Sequence, residues 1–187
     1  MSDSETLKNS FKRVKKLLTI KPEKGQYTTT TKVRVRNGTT CEIEHKHWTF
    51  TADVGEMEGG NDAGPGPSVL QRGALGSCLA IGYAKWAAYL DVPIDGIEVD
   101  VEADVDARGA YGLDGIEPGY QGLRYKVYID SPASEEEIMN VIEQADSHSP
   151  VLMDFKQPVE VEREVNLVKR QKEKVKSPSY AKASESK

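Results

Sequence analysis

Residues 64–90 read GPGPSVLQRGALGSCLAIGYAKWAAYL and contain the longest apolar segment of the chain. Pro67 suits the first turn of a helix, where its missing N–H is not needed, and Pro93 lies beyond the far end. The pattern predicts one helix of about 24 residues, roughly 36 Å long. Because apolar side chains occur all round it, we expect this helix to be buried on every face at the centre of the fold.

The predicted helix is rich in glycine, alanine and serine, and Cys78 lies near its middle. Glycines weaken a helix, which is a cost consistent with another backbone packed closely against it. Arg72 and Lys85 leave only 12 uncharged residues between them, fewer than the ~20 that a membrane span requires. We therefore expect no membrane span.

The net charge of −5 over 187 residues is divided unevenly along the chain. Residues 1–24 carry seven basic and three acidic residues, residues 169–187 carry seven and two, and residues 25–168 therefore carry −14. This predicts a basic helical extension over 1–24, one domain over 25–168 and a disordered basic tail over 169–187. An acidic body repels phosphate backbones, so we expect no nucleic-acid partner unless the tails supply one.

Two cysteines, Cys41 and Cys78, give no disulfide framework. The first 20 residues carry several lysines and lack the apolar run of a secretory signal. These observations favour a cytoplasmic protein whose cysteines are thiols, either of which could be reactive.

The remaining segments predict an α+β fold. Leu7, Phe11, Val14 and Leu18 recur at helical spacing and predict a short N-terminal helix that docks on the body. From Tyr27, β-branched residues on both sides of Asn37-Gly38 predict a hairpin, and a third strand follows around HWTFTAD.

Strand patterns also follow the long helix. IEVDVEADVDA alternates with period two and predicts a half-buried strand with an acidic outer face, and LRYKVYID predicts another. A calcium loop is excluded because its glycine and final glutamate are missing. Ser134 with Glu137 forms a capping box for a further helix. A short helical piece follows Ser149, and PVEVEREVNLV predicts a last strand, so the predicted order is β-β-β-α-β-β-α-β.

Few residues of this sequence can carry chemistry. His45 and His47 could share one face of a strand as metal ligands, but no third ligand is indicated, so we predict no metal site and no other cofactor. Cys78 has two interpretations from composition alone: a small buried apolar residue or a nucleophile. A position in mid-helix forgoes the helix dipole, so a reactive thiolate there would need a nearby cation.

Three segments in order, PGPSVLQRGALGSCLAIGYAKWA, IEVDVEADVD and ADSHSPVLMDFKQPVEVE, resemble the OsmC/Ohr family of osmotically inducible and organic hydroperoxide resistance proteins. The resemblance covers about residues 27–168. It implies an OsmC-like α+β fold and an intertwined homodimer whose long central helices pack together. It also implies a reactive cysteine on the central helix, a resolving cysteine on a later short helix, and an arginine with a glutamate that order the site.

Carried over by position, the resemblance makes Cys78 the reactive cysteine and Arg36 the arginine. Two positions differ: Ser68 replaces the glutamate ten residues before the cysteine, and Ser149 replaces the resolving cysteine. Cys41 is the only other thiol and lies on the predicted hairpin, so this chain resembles a divergent member without the second cysteine.

Two functions follow as hypotheses. The first is a stress-response redox protein that reduces a small apolar organic hydroperoxide through Cys78, with an external thiol as reductant. The alternative is a non-catalytic ligand-binding or stress-associated protein on the same fold, in which Cys78 only packs.

Overall fold

A computed structural model of the protein describes residues 4–35 and 38–167. It is a mixed α+β fold, as expected from the sequence. The predicted basic tail over 169–187 lies outside the described residues. The elements are α1 Ser4–Ile20, β1 Lys32–Val35, β2 Cys41–His45, β3 Trp48–Ala52, α2 Pro67–Leu90, β4 Gly96–Val105, α3 Ala107–Ala110, β5 Tyr120–Asp130, α4 Glu135–Ser147 and α5 Pro150–Lys156.

The first three strands form the predicted antiparallel meander, in the order β1-β2-β3. Gly38 adopts a φ of +59° in the β1–β2 turn, a conformation that glycine reaches without strain. The first strand is shorter than predicted, because residues 27–31 pair with no strand. One face of this sheet is apolar along its length, since the rows Val33–Ile43–Phe50 and Val35–Cys41–Ala52 place these residues side by side.

The core lies between α2 and a second sheet formed by the long antiparallel pair β4 and β5. Leu75, Leu79 and Tyr83 of α2 are fully buried. They pack against Val99 and Val101 of β4, and helices α4 and α5 also contact α2. The alternation predicted for β4 is confirmed for Val99 and Val101, but not for Val105, which is 58% exposed where the pairing with β5 becomes irregular.

The expectation that α2 is buried on every face is wrong for the single chain. Its buried residues lie on one side, and Val69 and Ile81 remain 48% and 59% exposed. The reason is that β4, α1, α4 and α5 together surround only part of the helix. Within the described residues, no helix is long and apolar enough to cross a membrane.

The predicted last strand is also wrong for the described residues. Residues 158–167 follow α5 without any strand pairing. A strand is stable only when it forms backbone hydrogen bonds with a neighbouring strand, and this segment pairs with no sheet edge in the described part of its own chain. Its alternating valines, Val159, Val161 and Val165, are consequently exposed.

The terminal helices agree with the sequence patterns. The capping box that opens α4 is present: the Ser134 hydroxyl accepts from the Glu137 N–H, and the Glu137 carboxylate accepts from the Ser134 N–H. Helix α1 packs on α2, where Phe11 meets the rings of Trp86 and Tyr89 at centroid distances of 5.1 and 4.7 Å. At the end of α2, Lys8 pairs with Asp91.

Candidate functional site

A cavity of about 650 Å³ opens between α1, α2 and the junction of α4 with α5. Its surface is mostly apolar. It is lined by Leu7, Ser10, Phe11, Val14, Lys15, Leu18, Cys78, Ile81, Gly82, Lys85, Trp86, Ala145, His148, Ser149 and Pro150. A volume in this range suits a small organic ligand.

Cys78 reaches this cavity from the middle of α2 and is half-buried. Its Sγ lies 3.4 Å from Oγ of Ser149, which is buried and caps the N-terminus of α5. The Ser149 hydroxyl oxygen accepts the Leu152 N–H at 3.4 Å, so its own hydrogen is free to point at the sulfur. The Ser149 O–H can therefore donate to the Cys78 sulfur.

Asp146 fixes the junction that carries Ser149. Its carboxylate accepts the Tyr83 hydroxyl at 2.8 Å and the Tyr125 hydroxyl at 2.7 Å, which ties α4 to both α2 and β5. Burial, together with the bond to Asp146, raises the pKa of Tyr125 to about 12. The same causes raise the pKa of Tyr83 further. Both phenols therefore stay protonated and act as fixed donors.

His148 stands at the rim of the cavity, directly before Ser149. Its ring packs against Trp86 with centroids 5.0 Å apart, and its Nδ1 lies 2.7 Å from the Gln144 carbonyl. A carbonyl only accepts, so Nδ1 carries the hydrogen in this arrangement.

A second polar centre lies at the meander. Asp53 is 2% exposed, and its carboxylate accepts from the hydroxyls of Thr39 and Thr40 and from the N–H groups of Val54, Asn61 and Ala63. These bonds, the one from Thr39 foremost, hold the pKa of Asp53 well below its usual range although burial acts in the opposite direction. Asp53 thus joins the β1–β2 turn to the loop that leads into α2.

The structure brings together two of the four site residues considered from the sequence. Cys78 and Ser149 are in contact. Ser68 lies in the first turn of α2, ten residues or roughly 15 Å along the helix from Cys78, and its carbonyl accepts the Tyr120 hydroxyl. Arg36 lies outside the described residues.

The remaining candidates lie away from this cavity. Cys41 is on the apolar face of the meander, and both cysteines are free thiols. His45 bonds to the carbonyl of Thr30, and His47 packs on Trp48. No group of three metal-ligating side chains occurs in residues 4–35 and 38–167.

Sequence reasoning missed two parts of the cavity. His148 carried a signal, because it precedes the residue at the resolving position. The wall formed by α1 carried none beyond its amphipathic pattern, because that pattern does not tell which part of the body the helix covers.

The protein thus has a mixed α+β fold, and its long helix α2 presents a thiol to an apolar cavity. The family model for OsmC-like proteins matches residues 59–164. The chain belongs to the OsmC-like family. No curated protein sequence matches it.

Solved structures support the same fold. An OsmC-like protein from Mycoplasma pneumoniae is similar with a TM-score of 0.60 and 16% identity, over 71% of this chain and 90% of the other. For the organic hydroperoxide resistance protein OsmC from Legionella pneumophila, the TM-score is 0.53 and the sequence identity 14%, over 70% of this chain and 92% of the other. For an OsmC-like protein of unknown function from Vibrio cholerae, the TM-score is 0.54 and the sequence identity 10%, over 69% of this chain and 94% of the other.

Proposed function

We propose that this OsmC-like protein reduces organic hydroperoxides through Cys78, with an external thiol as reductant. The observation that carries the proposal is the position of Cys78, whose sulfur opens into an apolar cavity of about 650 Å³ and contacts the hydroxyl of Ser149. Family membership and the name of the Legionella neighbour, an organic hydroperoxide resistance protein, point to the same chemistry.

In the first step, the Cys78 thiolate attacks the terminal oxygen of the hydroperoxide. An S–O bond forms as the O–O bond breaks, which leaves Cys78 as a sulfenic acid and releases an alkoxide that takes a proton from solvent. The sulfur loses two electrons and the peroxide gains them. The Ser149 hydroxyl stabilises the starting thiolate, and Arg36, the arginine that the family resemblance implies, is its proposed cationic partner.

In the second step, an external thiol attacks the sulfenic sulfur. Water leaves and a mixed disulfide forms, and a second external thiol then releases reduced Cys78 and a small-molecule disulfide. Ser149 imposes this route, because an oxygen in the resolving position cannot form a disulfide. Such a reductant pool suits the cytoplasm, where we place the reaction.

We also propose that the protein is a homodimer. The apolar face of the meander is exposed at Val33 (57%), Val35 (54%) and Phe50 (45%), although Ala52 is buried, and the described helices make no extensive contact with it. Helix α2 also exposes Val69 at 48%, away from the Cys78 cavity, and residues 158–167 expose alternating valines. A second copy would cover these surfaces, because exposed apolar faces commonly mark contacts between chains.

The test of the proposed reaction is consumption of cumene hydroperoxide in the presence of dithiothreitol. We expect turnover by the wild type, loss of at least about a hundredfold in Cys78→Ser, and little change in Cys41→Ser. Equal turnover in wild type and Cys78→Ser would exclude Cys78 as the nucleophile.

A specific observation supports the alternative of a binding protein: the resolving cysteine is absent, while the cavity is retained. This alternative predicts saturable ligand binding without turnover in wild type and Cys78→Ser alike. Slow alkylation of Cys78 at neutral pH would favour it, whereas a low thiol pKa would favour the enzyme.

A further inference from the structure

One wall of the Cys78 cavity comes from α1, which lies outside the family-matched residues 59–164. Phe11 anchors this helix on α2 through Trp86 and Tyr89. Val14 and Leu18, which face the cavity, are still 49% and 37% exposed. The apolar face of α1 is therefore only partly covered by the described chain, and the uncovered part borders the cavity.

The cavity is also positively charged. Its lining contains Lys15 and Lys85 and no acidic residue. Lys15 Nζ donates to the Tyr89 hydroxyl at 3.2 Å, and Lys85 Nζ lies 5.9 Å from the centre of the Phe11 ring. Neither lysine pairs with a carboxylate in the part of the chain that the structure describes, whereas Lys8 pairs with Asp91.

We propose that the cavity binds an organic anion with an apolar body, held at its charged end by Lys15 and Lys85. The apolar body would lie along Phe11 and Ile81 toward Cys78. Charge complementarity selects this occupant, because the two lysines repel a cationic ligand, while an acidic group pairs with both of them. The proposal rests on the proposed function and deepens it by naming the substrate class of its site, and α1 becomes a specificity-determining element.

Two features make the arrangement suited to discrimination. The lysines come from different helices, so an anion between them bridges α1 and α2. Each ammonium already lies beside an aromatic ring, which limits its motion before the ligand arrives. An uncharged molecule of the same shape makes the apolar contacts and gains nothing from the lysines.

The test is calorimetric titration of Cys78→Ser protein, which cannot turn over a peroxide, with octanoate and with octan-1-ol at low ionic strength. We expect both to bind. Lys15→Gln combined with Lys85→Gln lowers the affinity for octanoate by about tenfold, as expected for two partly exposed ion pairs. It changes the affinity for octan-1-ol by less than about twofold. Raised salt weakens octanoate alone.

Lys12→Gln is the matched control, because Lys12 lies on the same helix but does not line this cavity. It removes one charge and leaves octanoate binding unchanged. Lys15→Arg with Lys85→Arg retains the charges and retains the preference for octanoate. Circular dichroism of each variant verifies the fold.

The proposal is overturned if octanoate does not bind, if both ligands weaken equally in the double variant, or if Lys12→Gln has the same effect. A second copy of the chain seated in the cavity would give the first of these results. Failure of the peroxide reaction is a separate outcome: selective octanoate binding to Cys78→Ser, with no hydroperoxide consumption by the wild type, leaves this inference standing and refutes the enzyme.

Discussion

At the scale of single residues, the proposed reaction depends on the contact between Cys78 and Ser149. Their side-chain atoms are 3.4 Å apart although the residues are 71 positions apart in the chain. A serine at this place can donate a hydrogen bond to the thiolate, but it cannot resolve a sulfenic acid. An oxygen atom in place of a sulfur at position 149 is therefore the difference between a cycle that needs an external thiol and a cycle with an internal resolving thiol.

Replacement of Ser149 by cysteine should restore internal resolution. We expect that one equivalent of cumene hydroperoxide converts Ser149→Cys to a form in which Cys78 and the introduced thiol are joined by a disulfide. The reason is that the side-chain atoms of residues 78 and 149 already lie 3.4 Å apart, so an introduced thiol at position 149 would stand beside the oxidised sulfur. Mass spectrometry of the intact protein would show the loss of two hydrogen atoms. Ser147→Cys, two residues earlier and exposed, should form no such bond. A stable sulfenic or sulfinic acid in Ser149→Cys would contradict the contact.

We expect Asp53 to make a pH-dependent contribution to stability. Its folded-state pKa is depressed, so its contribution is fully present above the unfolded pKa of about 3.9 and is lost as pH falls toward the folded pKa. Asp53→Asn should therefore destabilise the protein at pH 7. The NH2 group of the asparagine side chain is a donor, and it would face hydroxyl and N–H groups that now donate to the carboxylate. The difference in the free energy of unfolding between Asp53→Asn and wild type, measured with urea, should become smaller below about pH 4. A gap that is the same at pH 7 and at about pH 3.5 would show that the ionised carboxylate is not the cause.

At the scale of elements, local signals predicted the structure well where one short segment contains the whole cause. The capping box of Ser134 and Glu137 predicted the start of α4, and the glycine of the β1–β2 turn predicted the meander. Prediction failed where the cause is a distant neighbour. The cavity joins α1 to residue 149, and the pattern of residues 158–167 could not show that no partner strand lies beside it in the described part of this chain.

The capping box offers a quantitative check on α4. Ser134→Ala should lower the free energy of unfolding by about 1 kcal/mol, because the Glu137 N–H loses its acceptor. Ser147→Ala, near the other end of the helix and exposed, should change it by less than about 0.5 kcal/mol. Chemical denaturation measures both. Equal effects of the two substitutions would argue against the cap.

At the scale of the whole molecule, two apolar surfaces lack partners in the described part of the single chain: the face of the meander and the exposed side of α2. The sequence predicted an α2 that is buried on every face, and the single chain buries only one. The two findings agree if a second copy of the chain covers the exposed side of α2. Local sequence patterns cannot reveal this, because they do not distinguish burial within a chain from burial between chains.

A substitution on the meander tests this assembly. Phe50, 45% exposed on the apolar face, tolerates a charge in an isolated chain, so Phe50→Asp should convert a dimer to monomers without unfolding it. Thr49→Asp places the same charge on the opposite face of the same strand and should leave the dimer intact. Sedimentation velocity distinguishes the two. A monomeric wild type, or a dimeric Phe50→Asp, would contradict the proposed homodimer.

Trapping the oxidised thiol tests most directly whether the sulfur of Cys78 reduces the peroxide. The reduced protein is mixed with one equivalent of cumene hydroperoxide in the presence of dimedone, and the labelled cysteine is located by mass spectrometry. We expect dimedone on Cys78 within the first turnover and little on Cys41, because Cys78 lines the cavity and Cys41 does not. Equal labelling of both cysteines, or an unlabelled Cys78, would contradict it.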